Sequence, residues 1–365
     1  MADLALEQAI SIADLEQIAR QRMDVGAFDY CAGGSEDEIT LRENVEAFRR
    51  KKLLPRALVP VDSIDLSTSI LGRPIACPLV IGPTGLQQLA HPDAEVASAR
   101  AAARLGIGFC LSTFASKPLE EVAEAAQPGL RWFQLYITAA RPVTRSLVER
   151  AEQAGYQAIA ITVDVPRVGR RERDIRNNFR RFMAGRPSML SDPAFRALLP
   201  PGSGEEDAFA KLDEIFPNPR ASWADVEWVR SLTRLPIVVK GILRPEDARR
   251  AVDAGAAGVV VSNHGGRQLG RAPATIEVLP EIVAEVGQAI EVYLDSGVRR
   301  GTDALIALAL GARAVLLGRA IVWGLAAGGE AGVIRAIEIL REELTAGMMM
   351  VGAPSPRDLN PSFVR

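Results

Sequence analysis

Eight short apolar runs, each followed by a helical pattern, fill the stretch from Leu79 to Leu317. They are Leu79–Ile81, Gly108–Leu111, Trp132–Tyr136 and Ala158–Val163, then, after a long gap, Ile237–Val239, Gly258–Val261, Val292–Leu294 and Ala314–Leu317. Helical patterns such as Ala94–Leu105, Val143–Ala154, Pro245–Ala254 and Thr302–Leu310 separate them. Gly106, Gly155, Gly255 and Gly311 stand where a left-handed residue ends a helix before the chain turns into the next strand. Strict alternation, eight times over, predicts an α/β fold of the (β/α)8 TIM-barrel type, with a doubly wound open sheet as the structural alternative. The expected organisation is a single domain over 1–365, with an N-terminal helical segment over 1–75, a barrel over 76–345 and a long loop over 176–222 after strand four.

Composition narrows the function classes. Of 365 residues, 48% are hydrophobic and 24% charged, ordinary for a globular chain with a sizeable core. The net charge of −2 offers no basic excess for nucleic acid. The three cysteines, Cys31, Cys77 and Cys110, are too few and scattered for a disulfide framework or a metal cluster, and no metal is expected. Met1-Ala2-Asp3-Leu4 has no positive region ahead of an apolar core, so no signal peptide is expected. The most apolar window, Leu310 to Ala327, is interrupted by Arg313 and Arg319 and does not read as a membrane span. A cytoplasmic enzyme is the expectation.

A barrel builds its site at the carboxyl ends of its strands. The runs end, in order, in Pro83-Thr84-Gly85, Ser112-Thr113-Phe114, Gln134 and Tyr136, Thr162 and Asp164, Lys240, Ser262-Asn263-His264-Gly265-Gly266-Arg267-Gln268-Leu269, Asp295-Ser296-Gly297-Val298-Arg299, and Gly318-Arg319. Polar or ionisable groups occur at every one of these ends. The sixth matters most, because it spends one of only two histidines beside a fixed cation. A base near neutral pH next to an arginine suits an acidic substrate that must lose a proton.

The seventh and eighth ends carry Gly297, Arg299, Gly318 and Arg319, where barrels commonly hold a phosphate: glycines let backbone N–H groups approach and arginines supply forked charge. Lys240 either reaches solvent or stabilises negative charge on a reduced cofactor ring. Gln134 and Thr162 suit a ring's polar edge or are satisfied core groups. Asp164 would orient and stabilise the His264 imidazole. Arg267 and Arg171 could bracket a carboxylate, although the arginine-rich 167–181 stretch means that charge alone does not single out Arg171. Tyr30 and Tyr136 could donate to a carboxylate or be half-buried aromatics. His91, before Pro92, reads as structural.

These residues resemble the FMN-dependent 2-hydroxy acid oxidising enzymes, a family that includes glycolate oxidase, lactate oxidase, flavin-linked lactate dehydrogenase and mandelate dehydrogenase. The resemblance is carried in order by Phe28-Asp29-Tyr30, Gly33 to Glu38, Gly82 to Gly85, Leu111-Ser112-Thr113, Trp132 to Tyr136, Thr162-Val163-Asp164, Gly169 to Asp174, Val239-Lys240-Gly241, Ser262 to Leu269, Asp295 to Gly301 and Leu317-Gly318-Arg319. It implies FMN as cofactor and oxidation of an (S)-2-hydroxy acid. His264 would be the base and Asp164 its partner. Arg171, Arg267 and Tyr30 would bind the substrate carboxylate, Tyr136 would lie near the reacting hydroxyl, and Lys240 would stabilise the reduced ring. Pro83, Thr84, Gly85, Ser112, Gln134, Thr162 and Ser262 would contact FMN about its ring, while Asp295, Gly297, Arg299, Gly318 and Arg319 would hold its ribityl and phosphate.

Gly85, where the glycolate and lactate oxidases usually carry alanine, and Ser296, in place of a glycine, lean towards a dehydrogenase passing electrons to a quinone or similar acceptor, with oxygen as the alternative. Gly270 departs from the family's usual aspartate, and Phe114 sits at a position that tunes pocket size. The resemblance also implies a homo-oligomer, tetramer or octamer, and makes 176–222 a mobile loop: a partly disordered soluble lid, or a basic-apolar face for peripheral membrane contact at the inner face. Rival readings are another FMN barrel, such as an isomerase, and a phosphate-binding barrel without chemistry.

Overall fold

A computed structural model describes residues 5–365. Three helices lead the chain: α1 (Ile12–Arg22), α2 (Val25–Ala32) and α3 (Ile39–Arg50). Ser11 accepts from the Asp14 amide at the start of α1, and Asp24 from Gly26 and Ala27 at the start of α2, both ordinary N-caps. The segment before the barrel is not helical throughout. Thr68–Ile70 (β1) and Arg73–Ile75 (β2) pair antiparallel across Leu71 and Gly72, both at positive φ, the twist that closes a two-residue hairpin.

Eight parallel strands then close into a barrel: β3 (Leu79–Ile81), β4 (Gly108–Leu111), β5 (Arg131–Leu135), β6 (Ile159–Thr162), β7 (Ile237–Ile242), β8 (Gly258–Val261), β9 (Glu291–Leu294) and β10 (Val315–Leu317). The open-sheet alternative is excluded by the pairing of β10 with β3. The four anticipated glycines all hold positive φ where the helices stop.

Strand periodicity places the site. Val80, Cys110, Trp132, Ala160, Val238, Val260, Tyr293 and Leu316 point inward and pack with Ile70 and Ile75, so the hairpin closes the amino end of the barrel. Neighbours such as Ile81, Phe109, Phe133, Ile161 and Val239 join the outer core beneath the helices. Two residues further along a strand the side chain returns to the same face. The next inward layer is therefore Gly82, Ser112, Gln134, Thr162, Lys240, Ser262, Asp295 and Gly318. Apolar below and polar above, the barrel interior becomes the floor of a cleft.

Between β6 and β7 the chain is not a bare loop. It contains short helices, among them Arg181–Ala184, Pro193–Arg196 and Glu205–Ile215. Buried Asp192 caps the second, accepting from Ala194 and Phe195, and pairs with Arg150 at 2.7 Å, which ties the insertion to the helix Arg141–Gln153. Phe182, Leu190 and Phe195 are buried, Leu198 and Leu199 half-buried, and only Met183 of this apolar set is exposed, so the insertion offers little apolar surface to a bilayer. The helical stretch Arg319–Val351, broken by non-helical backbone at Gly328 and Gly329, has the length and composition to cross a membrane, but most of its apolar window is buried against the fold.

Candidate active site

The cleft at the carboxyl ends of the strands collects Tyr30, Pro83, Thr84, Gly85, Ser112, Tyr136, Arg171, Lys240, His264, Arg267, Asp295, Gly297, Arg299, Gly318 and Arg319. The cleft opens to solvent at its mouth, and its empty space counted to that mouth is about 1240 Å³.

His264 sits on a turn in which His264, Gly265 and Gly266 all have positive φ. A non-glycine residue holds this conformation only when its surroundings enforce it. Ser262 Oγ accepts the His264 amide at 3.1 Å and Ser296 Oγ the Gly265 amide at 2.9 Å. The imidazole Nδ1 lies 2.8 Å from Asp164 Oδ1. Burial pushes the imidazole below its usual pKa, against the opposing pull of Asp164. Burial acts to raise the Asp164 carboxyl, but the charges of His264 and Lys240 prevail and hold it below the usual range. The result is a neutral base with a carboxylate fixed behind it.

Arg171 and Arg267 flank the Tyr30 ring, their guanidinium carbons 5.7 Å and 4.8 Å from its centre. Arg267 donates to the carbonyls of Tyr30 and Gly33 at 2.6 and 2.9 Å, and Gln268 Oε1 accepts from Arg171 at 3.4 Å. Both guanidinium groups are thus held in place. Tyr136 lies in an aromatic cluster: its ring centre is 5.3 Å from Phe114 and 4.7 Å from Phe216, with Phe182 5.2 Å from Phe114. Burial and Asp164 raise the Tyr136 hydroxyl, so it remains a donor.

Lys240 Nζ lies 3.0 Å from Asp295 Oδ2 and 3.0 Å from Ser262 Oγ. Burial disfavours its charge, but Asp295 and Asp164 more than restore it, so Lys240 is a permanent cation in the floor. Gln134 Oε1 accepts from the Thr113 amide at 3.2 Å, while Gln134 Nε2 and Thr162 Oγ1 are buried without a partner. Buried polar groups are normally hydrogen-bonded; these two call for a polar ligand.

At the other end of the cleft Gly318 starts the helix Arg319–Val351. A Cβ on Gly318 would meet only Thr84 Cγ2 at 3.8 Å, leaving room for a group to approach the helix amides. Burial and the like charges of Arg267 and Arg299 push the Arg319 guanidinium well below its usual value, and burial lowers that of Arg299. Such clustered cations need an anion. A flavin mononucleotide fits on both counts: polar ring edges for Gln134 and Thr162, and a phosphate for Arg299, Arg319 and the helix start.

The structure thus brings most of the anticipated residues to one cleft and puts Gln134, Thr162 and Ser262 in its floor layer. It leaves His91 outside, where its Nδ1 accepts from the Asp93 amide at 3.2 Å. Phe182 and Phe216 went unassigned because no local motif marks them; tertiary packing of the insertion brings them to Phe114. Cys31 also lines the cleft, and its thiol is pushed up to about 11, chiefly by burial.

A family model described as FMN-dependent dehydrogenase matches residues 19–365. The chain is 48% identical to the L-lactate oxidase of Nostoc sp. over 99% of both chains. It is 47% identical to human 2-hydroxyacid oxidase 1 over 99% of this chain and 97% of that one. Among solved structures, a soluble mutant of the membrane-associated (S)-mandelate dehydrogenase from Pseudomonas putida superposes with a TM-score of 0.88 at 37% identity, covering 98% of this chain and 99% of the other. The chain belongs to the FMN-dependent dehydrogenase family and is a flavin enzyme that oxidises the CH–OH group of a 2-hydroxy acid.

Proposed function

We propose that the enzyme oxidises an (S)-2-hydroxy acid with an uncharged, apolar side chain to the 2-oxo acid, with His264 as the base. The observation that carries this reading is the 2.8 Å pair of His264 and Asp164 in the same cleft as Arg171 and Arg267. The two guanidinium groups fix the carboxylate in a forked grip, assisted by Tyr30. Tyr136 directs its hydroxyl donor to the reacting oxygen. His264 takes the proton at Nε2, and Asp164 stabilises the imidazolium that forms. The same base serves whether it removes the hydroxyl proton during hydride transfer or the proton on the α-carbon. Bound FMN supplies the acceptor for the two electrons. Gln134, Thr162, Ser112, Ser262 and Lys240 would hold its ring, with backbone at Pro83, Thr84 and Gly85; Asp295, Gly297, Arg299, Gly318 and Arg319 would hold its ribityl phosphate.

Phe114, Phe182, Phe216, Val165 and Val168 line the cleft, which favours L-lactate or (S)-mandelate over an acid with a charged tail. For the final acceptor, the curated relatives above carry oxidase names and favour oxygen, with hydrogen peroxide as product. Gly85 favours the second reading, a quinone. A Cβ there would lie 3.0 Å from Phe114 O and 3.2 Å from Ser112 Oγ, so the usual alanine would have to push its neighbours aside. A homo-oligomer, tetramer or octamer, in the cytoplasm completes the proposal, and light scattering on the purified protein tests its size.

The test is anaerobic mixing with L-lactate, glycolate and (S)-mandelate, followed by air or a soluble quinone. Bleaching of the flavin band by none of the three acids would overturn the reading of a small, apolar 2-hydroxy acid as substrate. Reoxidation by quinone at least about tenfold faster than by air would overturn the oxygen reading. His264→Ala should keep FMN and slow bleaching by at least about a hundredfold; unchanged bleaching would remove His264 from the base role.

A further inference from the structure

Helix α3 presses on the turn that carries the base from the opposite end of the chain. Buried Asn44 donates from Nδ2 to Asn263 Oδ1 at 2.9 Å, and Asn263 Nδ2 donates back to Asn44 Oδ1 at 2.6 Å. The two side chains, 219 residues apart in sequence, are 2% and 3% exposed. Asn263 then spends its remaining valences on the turn: Oδ1 accepts the Gly266 amide at 3.1 Å, and Nδ2 donates to Pro273 O at 2.9 Å. Its Oδ1 therefore spans His264 and Gly265, the two left-handed residues between Asn263 and Gly266. The backbone of α3 reinforces the contact. A Cβ on Gly266 would fall 2.5 Å from Leu41 N, and one on Gly297 would fall 2.2 Å from Asn44 O.

A reciprocal amide pair is satisfied whichever way both amides face together, so the Gly266 amide and the Pro273 carbonyl set the orientation of Asn263. Asn44 anchors that side chain to α3 by filling its other donor and acceptor sites; without it Asn263 is left half-paired in a buried site and releases the turn whose three positive-φ residues hold the imidazole against Asp164. We propose that Asn44 is a positioning residue for the base, acting through Asn263 on the conformation of the His264 turn. The proposal rests on reading His264 as the base. Substrate binding is separable, because Arg267 is anchored independently on the carbonyls of Tyr30 and Gly33.

The test uses the FMN-loaded enzyme with Asn44→Ala, and with Asn44→Asp, which keeps the shape but sets an oxygen against Asn263 Oδ1 and serves if the alanine variant does not fold. The expected result is bleaching by substrate slowed about tenfold or more, with half-saturation shifted by less than about threefold. In a His264→Ala background the same substitution should slow bleaching no further, because both act through one group. The chain has only two histidines, so carbon-labelled imidazole NMR should show the His264 titration midpoint displaced while His91 stays in place. Equal slowing in both backgrounds, or an unmoved His264 midpoint, would overturn the role. If instead His264→Ala alone leaves bleaching unchanged, the base reading fails, and that outcome is distinct from failure of the clamp.

Discussion

Asp164→Asn is the sharpest probe of how the base works. The Asp164 carboxylate stands 2.8 Å from the imidazole, with the two side chains only 11% and 20% exposed. A hydrogen bond to a charged group contributes about 1.5–3 kcal/mol, and roughly 1.4 kcal/mol is a factor of ten. If the charge acts only once the imidazolium forms, the substitution should slow anaerobic flavin bleaching by about 10- to 150-fold. An asparagine that turns its amide nitrogen to Nδ1 would select the wrong tautomer and deepen the loss. Stability should hold, because His264 is already kept neutral by burial and Lys240 retains Asp295 at 3.0 Å, so no unpaired charge is stranded. The sign of the pH effect follows from the same contacts. Burial lowers the imidazole and Asp164 alone opposes it among the causes that raise it. Without the carboxylate, the acid limb of the bleaching rate moves to lower pH while the plateau falls. Stopped-flow bleaching across pH, with a thermal melt alongside, measures both. A plateau within about threefold of wild type, or an acid limb that moves up, would refute the reasoning.

Other outcomes are specific to single contacts. Gly270→Asp, which restores the family's usual residue, should change the melting temperature little, because the atom its Cβ would meet is the end of the exposed Glu36 side chain, which can swing aside; a marked drop that Glu36→Ala recovers would refute this. Buried Glu95 accepts amides from Gln87 at 3.0 Å, Ser116 at 2.9 Å and Lys117 at 3.3 Å, bracing the two loops nearest Gly85. Glu95→Gln should cost about 1–3 kcal/mol for each amide left unpaired and weaken FMN binding in a fluorescence titration; unchanged melting and affinity would remove it from that role. Phe182→Ala should raise the kcat/KM ratio of (S)-mandelate to L-lactate by about tenfold, and a constant ratio would take Phe182 out of substrate selection.

Most of the barrel was legible in the chain because its signals are local. β3, β4 and β8 fall on the anticipated residues, and the other five strands differ by between one and three residues at an end. Four helix stops were marked by glycines that hold positive φ, Gly106, Gly155, Gly255 and Gly311. The hairpin at Thr68–Ile75 was not anticipated: its strands are three residues each, too short to show a period, and only Ile70 and Ile75 face the barrel. The insertion was read as a partly disordered lid or a membrane face, since its apolar and charged residues follow no period; buried Asp192 and Phe195 account for the ordered helices found there.

The sequence by itself determined the eight strands, their order and which residue types stand at their ends, because strand runs and glycine caps are properties of neighbouring residues; closure into a barrel was decided by the pairing of β10 with β3. Only the tertiary structure decided that His264 meets Asp164, 100 residues away, that Arg319 sits beside Arg267 and Arg299, and that α3 reaches back to hold the His264 turn. Those contacts depend on burial and on distances between remote segments. Once the barrel closes, groups that would each be solvated in an open chain are brought within hydrogen-bonding reach in a medium where charge and orientation count for far more.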